Sequence, residues 1–405
     1  MAGKIIAQKF GGTSVATPDS RRLVVKHVRR ALAEGYRLVV VVSAMGRRGA
    51  PYATDTLLDL IRLEGEPVAE RDDDLIFHCG EIISASIVSH LLKLSGLPAV
   101  ALTGAQAQIY TDGCYRRGKI VRINPTRMLH YVDEGTIPVV TGGQGVSVDG
   151  GEVNILGRGA SDTSGVAVGI AVGAEKVEIY TDVPGVAVAD PRLVPEAPFL
   201  PEMSYSRLYE VGMLGARVVH PGAVLAGQSA GTPIVCRSTF DDLPGTLITE
   251  APEEPPLVGI PCLGPVDLLV LPENALEGIY SRAELYDRFA AVALKDESRG
   301  GTIVAVDRGW RAALEDGLSS AGVDAEEVHC GQGLVSLIGA PDFIAETAAR
   351  AKGVPATLGM AVSFEETTEL RRTFAVAHGD TPDLIRAFYR EFAPWTTKEH
   401  LGLNA

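Results

Sequence analysis

The sequence predicts an α/β fold, a three-layer sandwich with a largely parallel sheet, followed by two smaller ferredoxin-like α+β units. Three observations carry this reading. Short apolar runs alternate with helical patterns over the first two-thirds of the chain, the arrangement that makes parallel sheets. Residues 37–43 are a near-continuous valine run, which suits a strand buried on both faces. Then an acidic, proline-rich stretch at residues 250–256 marks a boundary, beyond which strand and helix pieces become shorter. The chain has 405 residues, enough for two or three domains at roughly 100–200 each. The expected division is 1–250 and 257–405.

Taken in order, residues 4–10 form the first strand. Pro18 opens a helix that runs to Glu34, with Gly35 as its stop. The valine strand follows. A long helix starts after Asp72-Asp73-Asp74, whose negative charge suits a helix N-terminus, and ends before Gly96-Leu97-Pro98. Strands are expected at 99–102 and 137–141, a helix from Asp162, and a strand at 177–181. Past residue 256, two successive rounds of β, α, β, β, α, β fit the remaining length.

Composition narrows the function. Hydrophobic residues at 46% and charged residues at 22% allow a full core and rule out wholesale disorder. Lysine plus arginine number 37 against 51 acidic residues, a formal net charge of −14 that repels polyanions. The basic pairs are scattered, so no nucleic-acid partner is expected. Five well-separated cysteines make neither a disulfide framework nor a zinc site, and suit a reducing cytosol. The opening residues lack a signal-peptide apolar block, and the greasiest run, 38–44, is far short of the roughly 20 residues needed to span a bilayer. The expectation is a soluble cytoplasmic protein with no membrane partner.

Four clusters carry chemistry. Lys9-Phe10-Gly11-Gly12-Thr13-Ser14 follows a strand directly; paired glycines let backbone N–H groups close on a phosphate, and the lysine can neutralise a transferring phosphoryl group. An ordinary tight turn explains the hexamer equally well. Gly157-Arg158-Gly159-Ala160-Ser161-Asp162-Thr163 leads into an apolar helix, an anion-receptive N-terminus with an arginine beside it that would grip a carboxylate. Thr181-Asp182, before a Pro-Gly turn, puts polar groups at the carboxyl edge of the sheet, where open α/β folds bind ligands, and read alone it fits a plain strand and turn equally well. Gly80-Glu81, read from the residues alone, favours a solvated helix face.

Together the strings KFGGTSV, VVSAMG, TDTLLDL, GEIIS, LGRGASDT, EIYTDVPG, DPR and GARVVHP stand in the order and spacing of the aspartate kinases, and over residues 4 to about 246 the chain resembles that group of the amino-acid-kinase superfamily. The C-terminal third is similar to a pair of ACT domains. The resemblance implies an amino-acid-kinase-like sandwich followed by ACT-like units, and phosphorylation of the L-aspartate side chain with ATP and Mg2+. It implies that Lys9 stabilises the transferring phosphoryl group, with Gly11, Gly12 and Ser43 around the phosphates. Glu81 would meet the substrate ammonium and Arg158 a carboxylate, with Ser161, Asp162 and Thr54 completing that pocket. Thr181, Asp182, Arg192 and Arg217 would line the nucleotide side. No protein metal ligand is implied. Partners implied are L-aspartate, an amino-acid effector at the ACT region and further copies of the chain, as a homodimer or larger homo-oligomer; the alternative for the ACT region is a dimerisation module that binds no effector.

The chain departs from the family pattern at Ala160, which replaces a glycine in a loop where a methyl group would disfavour positive φ. It also reads Ala187 where the family places a tyrosine beside the adenine. Residues 47–53 lengthen a loop that could act as a lid. Two rival readings stand beside the leading one: a sister kinase for another small acidic amino acid, and a non-catalytic ligand sensor on the same fold.

Overall fold

The computed structural model describes residues 3–396 except Glu66, Arg158, Arg217, Glu273 and 297–300. The chain divides into two compact units, Met1–Val186 with Val218–Glu250, and Ala187–Arg217 with Ala251–Ala405. The continuous 1–250 segment expected from the proline-rich boundary is therefore not one unit. Residues 187–217 group with the C-terminal part, held there by polar contacts that no local composition signals.

The first unit is built on a parallel sheet. Its strands run, side by side, Ile234–Ser238, Val177–Thr181, Ile5–Phe10, Arg37–Val42, Ile137–Thr141 and Ala99–Leu102, each parallel to its neighbour. Thr246–Thr249 pairs antiparallel with Ile234–Ser238. The valine strand explains the three layers. Leu38, Val40 and Val42 point into one core, with Val24, Val25 and Val28 of the Pro18–Ala33 helix and Ala85, Val88 and Leu92 of the Glu70–Leu94 helix. Val39 and Val41 point into the other, with Met128, Val132, Val168 and Val172. Burying both faces of a strand at period two requires this unbroken apolar run.

Local signals fix the helices. Thr17 and Ser20 form a reciprocal cap with Pro18 at the first helical position. The long helix starts at Glu70, before the acidic trio, so those charges lie in and just after its first turn. Its length and apolar composition are sufficient to cross a membrane, but half of that window is buried in the protein. The same helix carries buried Asp73, Asp74 and Glu81, which lipid would not tolerate unpaired. The helix expected from Asp162 begins at Ala160.

The second unit carries an antiparallel sheet in the order Ala291–Asp296, Gly301–Asp307, Cys262–Leu271, Glu327–Gly339, Arg371–Ala377 and Phe364–Thr367, with Leu257–Gly259 also paired to Glu327–Gly339. Two separate β, α, β, β, α, β rounds are not what forms. The 13-residue strand Glu327–Gly339 closes the first round with one half and opens the second with the other. Leu257–Gly259, from upstream of both, pairs at its far end.

One buried cation ties this unit together. Arg371 is 4% exposed and reaches Glu366 Oε2 at 2.7 Å through Nη2, while Nη1 pairs with Glu210 Oε2. Glu210, on the Tyr205–Met213 helix, also receives Arg282 at 3.0 Å. The second oxygen of Glu366 accepts the Lys295 amide at 2.7 Å. A second ion pair, Arg207 to Glu254, and the Ile260 amide to Val188 carbonyl bond complete the attachment of residues 187–217. Removing one partner of such a buried cluster strands the others without compensation. Arg371→Met should therefore cost about 3–5 kcal/mol. Urea unfolding is the check, and an unchanged midpoint would show that Glu210 and Glu366 are satisfied without it.

Candidate functional site

Four parallel strands of the first unit deliver their carboxyl ends to one place. Lys9 and Gly11 close the first strand, Ser43 follows the valine strand, Gly142 follows Ile137–Thr141, and Thr181 ends Val177–Thr181. This is the edge at which open α/β sheets bind ligands.

The centre of the site is an ion pair. Lys9 Nζ lies 2.5 Å from Asp162 Oδ1, with the two side chains only 8% and 13% exposed. The pair depends on how closely the Ala160–Ala171 helix sits on the first strand. A Cβ at Gly169 would fall 2.4 Å from Val177 Cγ2 and 3.2 Å from Ala7 Cβ, and one at Gly165 would meet the Lys9 stem at 3.0 Å. These two glycines, four residues apart and so on one helix face, permit the approach. The second Asp162 oxygen accepts the His220 amide at 3.1 Å. Cys236 sits beneath the pair, where burial pushes its thiol up to about 12 and so keeps it neutral.

Ser43 Oγ donates to Ser161 Oγ at 2.8 Å, joining the end of the valine strand to the first turn of the helix. Gly143 N donates to Ser164 Oγ at 2.8 Å. The expected strain at Ala160 does not arise. Positive φ falls on Gly157 at 87° and Gly159 at 70°, while Ala160 is already helical and buried.

Glu81 overturns the solvated-face reading of its residues. It is 3% exposed. One oxygen takes the Ala44 amide at a long 3.3 Å and the Thr54 hydroxyl hydrogen-bonds to the carboxylate, but Oε2 is buried with no hydrogen-bond partner among the described residues. Burial pushes this carboxyl up to about 8. A buried carboxylate with a vacant oxygen is a receptor for a cation or a donor.

Asp182 is held from the loop that the sequence marked as long. Arg47 Nη2 donates to its Oδ2 at 2.6 Å, and Thr181 Oγ1 to its Oδ1 at 3.1 Å. Gly12 is tied to the same loop by the Gly46 amide at 2.9 Å. Asp74 braces the approach to the Gly157–Gly159 turn from behind: its two oxygens accept the Arg116 and Ile155 amides at 2.9 and 3.0 Å, and burial raises its carboxyl to about 6.

The structure thus brings together Lys9 with Asp162, Ser43 with Ser161, Thr54 with Glu81, and Thr181 with Asp182. Arg192 falls in the second unit, forked onto Asp190 and exposed, and Ala187 lies there too, bridged to Phe199. Arg158 and Arg217 lie outside the described residues. Sequence reasoning missed His220 and Arg47. The His-Pro pair in GARVVHP was the available signal for the first, since a polar residue before proline often caps a helix. Arg47, one of two adjacent arginines on an exposed loop, gave none. Among the described residues, no group of three or more His, Cys, Asp or Glu side chains could hold a metal ion.

Residues 4–238 match the family model described as the amino acid kinase family. Aspartokinase 1 of Bacillus subtilis is 44% identical over 246 residues, 61% of this chain and 61% of that relative. The chain is thus matched over about 60% of the length of such curated relatives. E. coli aspartokinase III in complex with aspartate and ADP superimposes with a TM-score of 0.77 at 20% identity, covering 96% of this chain and 99% of that one. The same E. coli enzyme in complex with lysine and aspartate gives 0.67 at 22% identity, covering 96% and 99%. At these identities the two structures establish the fold.

Glu81 gives the site a pH signature. Its folded-state carboxyl titrates near 8 rather than 4.5, so the folded protein holds that proton to higher pH than the unfolded chain. The stability it contributes is complete below 4.5 and is lost as pH rises through about 8. The melting temperature of the unliganded protein should fall over that window, and Glu81→Gln should flatten the fall. Parallel curves for the two proteins would refute the assignment.

Proposed function

The chain belongs to the amino acid kinase family, and on that premise we propose that it transfers the γ-phosphoryl group of MgATP to the side-chain carboxylate of L-aspartate, giving 4-phospho-L-aspartate in the cytoplasm. The observation that carries the reading is the Lys9–Asp162 pair at the carboxyl edge of the sheet, with the vacant oxygen of Glu81 in the same unit. The aspartokinase relatives support the choice of acid.

The chemistry asks little of the protein beyond position and charge. A carboxylate nucleophile is already ionised at neutral pH, so no general base is required. In-line transfer needs the acceptor oxygen held against the γ-phosphorus and the equatorial charge neutralised. Lys9 supplies that charge, and Asp162 orients Lys9. Gly11, Gly12 and Ser43 surround the phosphates, and Thr181 and Asp182 lie on the nucleotide side. Glu81, with Thr54, receives the substrate ammonium through Oε2, while Ser161 and Arg158 take the substrate carboxylate. Arg192 and Arg217 are further nucleotide-side residues in this reading. Magnesium, carried by the nucleotide, would neutralise charge on the phosphates. The second unit, with its ACT-like sheet, is proposed to join copies into a homodimer or larger homo-oligomer and to take an amino-acid effector, as the lysine complex of the E. coli enzyme suggests.

Hydroxylamine trapping with MgATP and a panel of acids tests the reaction. Aspartyl hydroxamate is expected; signal from another acid alone would favour the sister-kinase reading, and silence throughout a sensor. Lys9→Ala should lower kcat by about 10²–10³ with the circular dichroism spectrum retained. Glu81→Gln should raise KM for aspartate by roughly tenfold or more, the scale of a lost hydrogen bond between charged groups. An unchanged KM would remove Glu81 from the ammonium pocket.

A further inference from the structure

We propose that His220 is a positioning residue that fixes the Asp162 carboxylate, and through it Lys9, by way of a histidine helix cap. The inference rests on the reading of Lys9 and Asp162 as the phosphoryl-transfer pair. It begins from the Asp162 carboxylate, which has one oxygen on Lys9 and the other on the backbone amide of His220. Where that amide points decides which way the carboxylate faces.

Three constraints hold the amide. Pro221 restricts the preceding residue to extended backbone, and His220 adopts φ −64° and ψ 133°. Its side chain caps the Pro221–Ala230 helix, Nδ1 accepting from the Gly222 amide at 3.3 Å. Thr163 Oγ1, one residue beyond Asp162, lies 3.4 Å from the same nitrogen. The ring also rests on the substrate-loop turn: a Cβ at Gly159 would sit 2.6 Å from His220 Cδ2. One imidazole therefore touches the turn before the Ala160–Ala171 helix, the helix's first turn, and the start of the neighbouring helix.

Because Nδ1 accepts a backbone N–H, the ring proton is on Nε2. An asparagine places a carbonyl oxygen where Nδ1 stands and preserves the cap, whereas alanine removes it. A side chain that only filled space would not show this distinction. The ring meets the Gly222 amide, Thr163 and the Gly159 turn, so its proposed effect is on the alignment of Lys9 and Asp162 and not on either substrate's affinity.

The test compares wild type, His220→Asn and His220→Ala by hydroxamate assay and by hydrogen exchange at residue 220. His220→Ala should lose about tenfold or more in kcat with KM for ATP and aspartate within about threefold, and its residue-220 amide should exchange at least about tenfold faster. His220→Asn should restore both. Equal loss in the two variants, a loss confined to KM, or an unchanged kcat in His220→Ala would overturn the proposal. Wild-type silence towards every acid would instead refute the kinase reading. Exchange at residue 220 still decides the cap in that case, since protection equal in all three proteins would overturn it.

Discussion

A lysine ammonium taken almost wholly out of water is unfavourable unless a carboxylate meets it, and most of the first unit is arranged around that one meeting. Lys9 sits at the end of a strand whose neighbours on both sides are parallel, so its backbone has no freedom to move. Asp162 arrives on a helix that can approach only because Gly165 and Gly169 present no side chain to the sheet. The carboxylate's second oxygen is then occupied by the His220 amide, so it cannot rotate away from the lysine. A methyl group at either glycine would lift the helix, lengthen the ion pair and leave two charges buried with less compensation than either needs.

Glu81 is the opposite case within the same unit. Its burial is as deep as that of Lys9, yet one of its oxygens has no protein partner among the described residues. Folding leaves that oxygen's desolvation uncompensated, and burial answers by raising the carboxyl towards neutrality. A cation arriving there would displace the carboxyl proton and restore the carboxylate's charge. The unit therefore holds one ion pair compensated internally and one buried carboxyl with an oxygen that no described residue meets.

Five of the six parallel strands were legible as short apolar runs bounded by turn signals, 99–102, 137–141 and 177–181 to the residue, whereas Ile234–Ser238 was not singled out. Family resemblance put Lys9 and Asp162 in one site, but their ion pair was not anticipated, since residues 153 positions apart have no local pattern in common. Burial of Glu81 was illegible for a different reason. A glutamate within a helix reads as exposed from periodicity, and only the packing of helix Thr54–Leu63 and residue Ala44 against it reverses that. The excursion at 187–217 escaped for a third reason: its attachment is through Arg371, Glu210, Arg207 and Glu254, charges that resemble ordinary surface residues until they are seen facing one another.

The departure at Ala160 shows how position outweighs composition in such a loop. The backbone needs left-handed φ twice in this turn, and both demands fall on glycines, at 157 and 159. Residue 160 is the first of the helix, where alanine is the most favourable helix former and its methyl is buried. Replacing a family glycine there removes unfolded-state entropy without straining the native chain. Gly159 has no such latitude, since any side chain would strike the His220 ring as well as resist positive φ. The change therefore leaves the turn's geometry intact, because both left-handed positions stay on glycine and the added methyl lies on the buried side of a helix start.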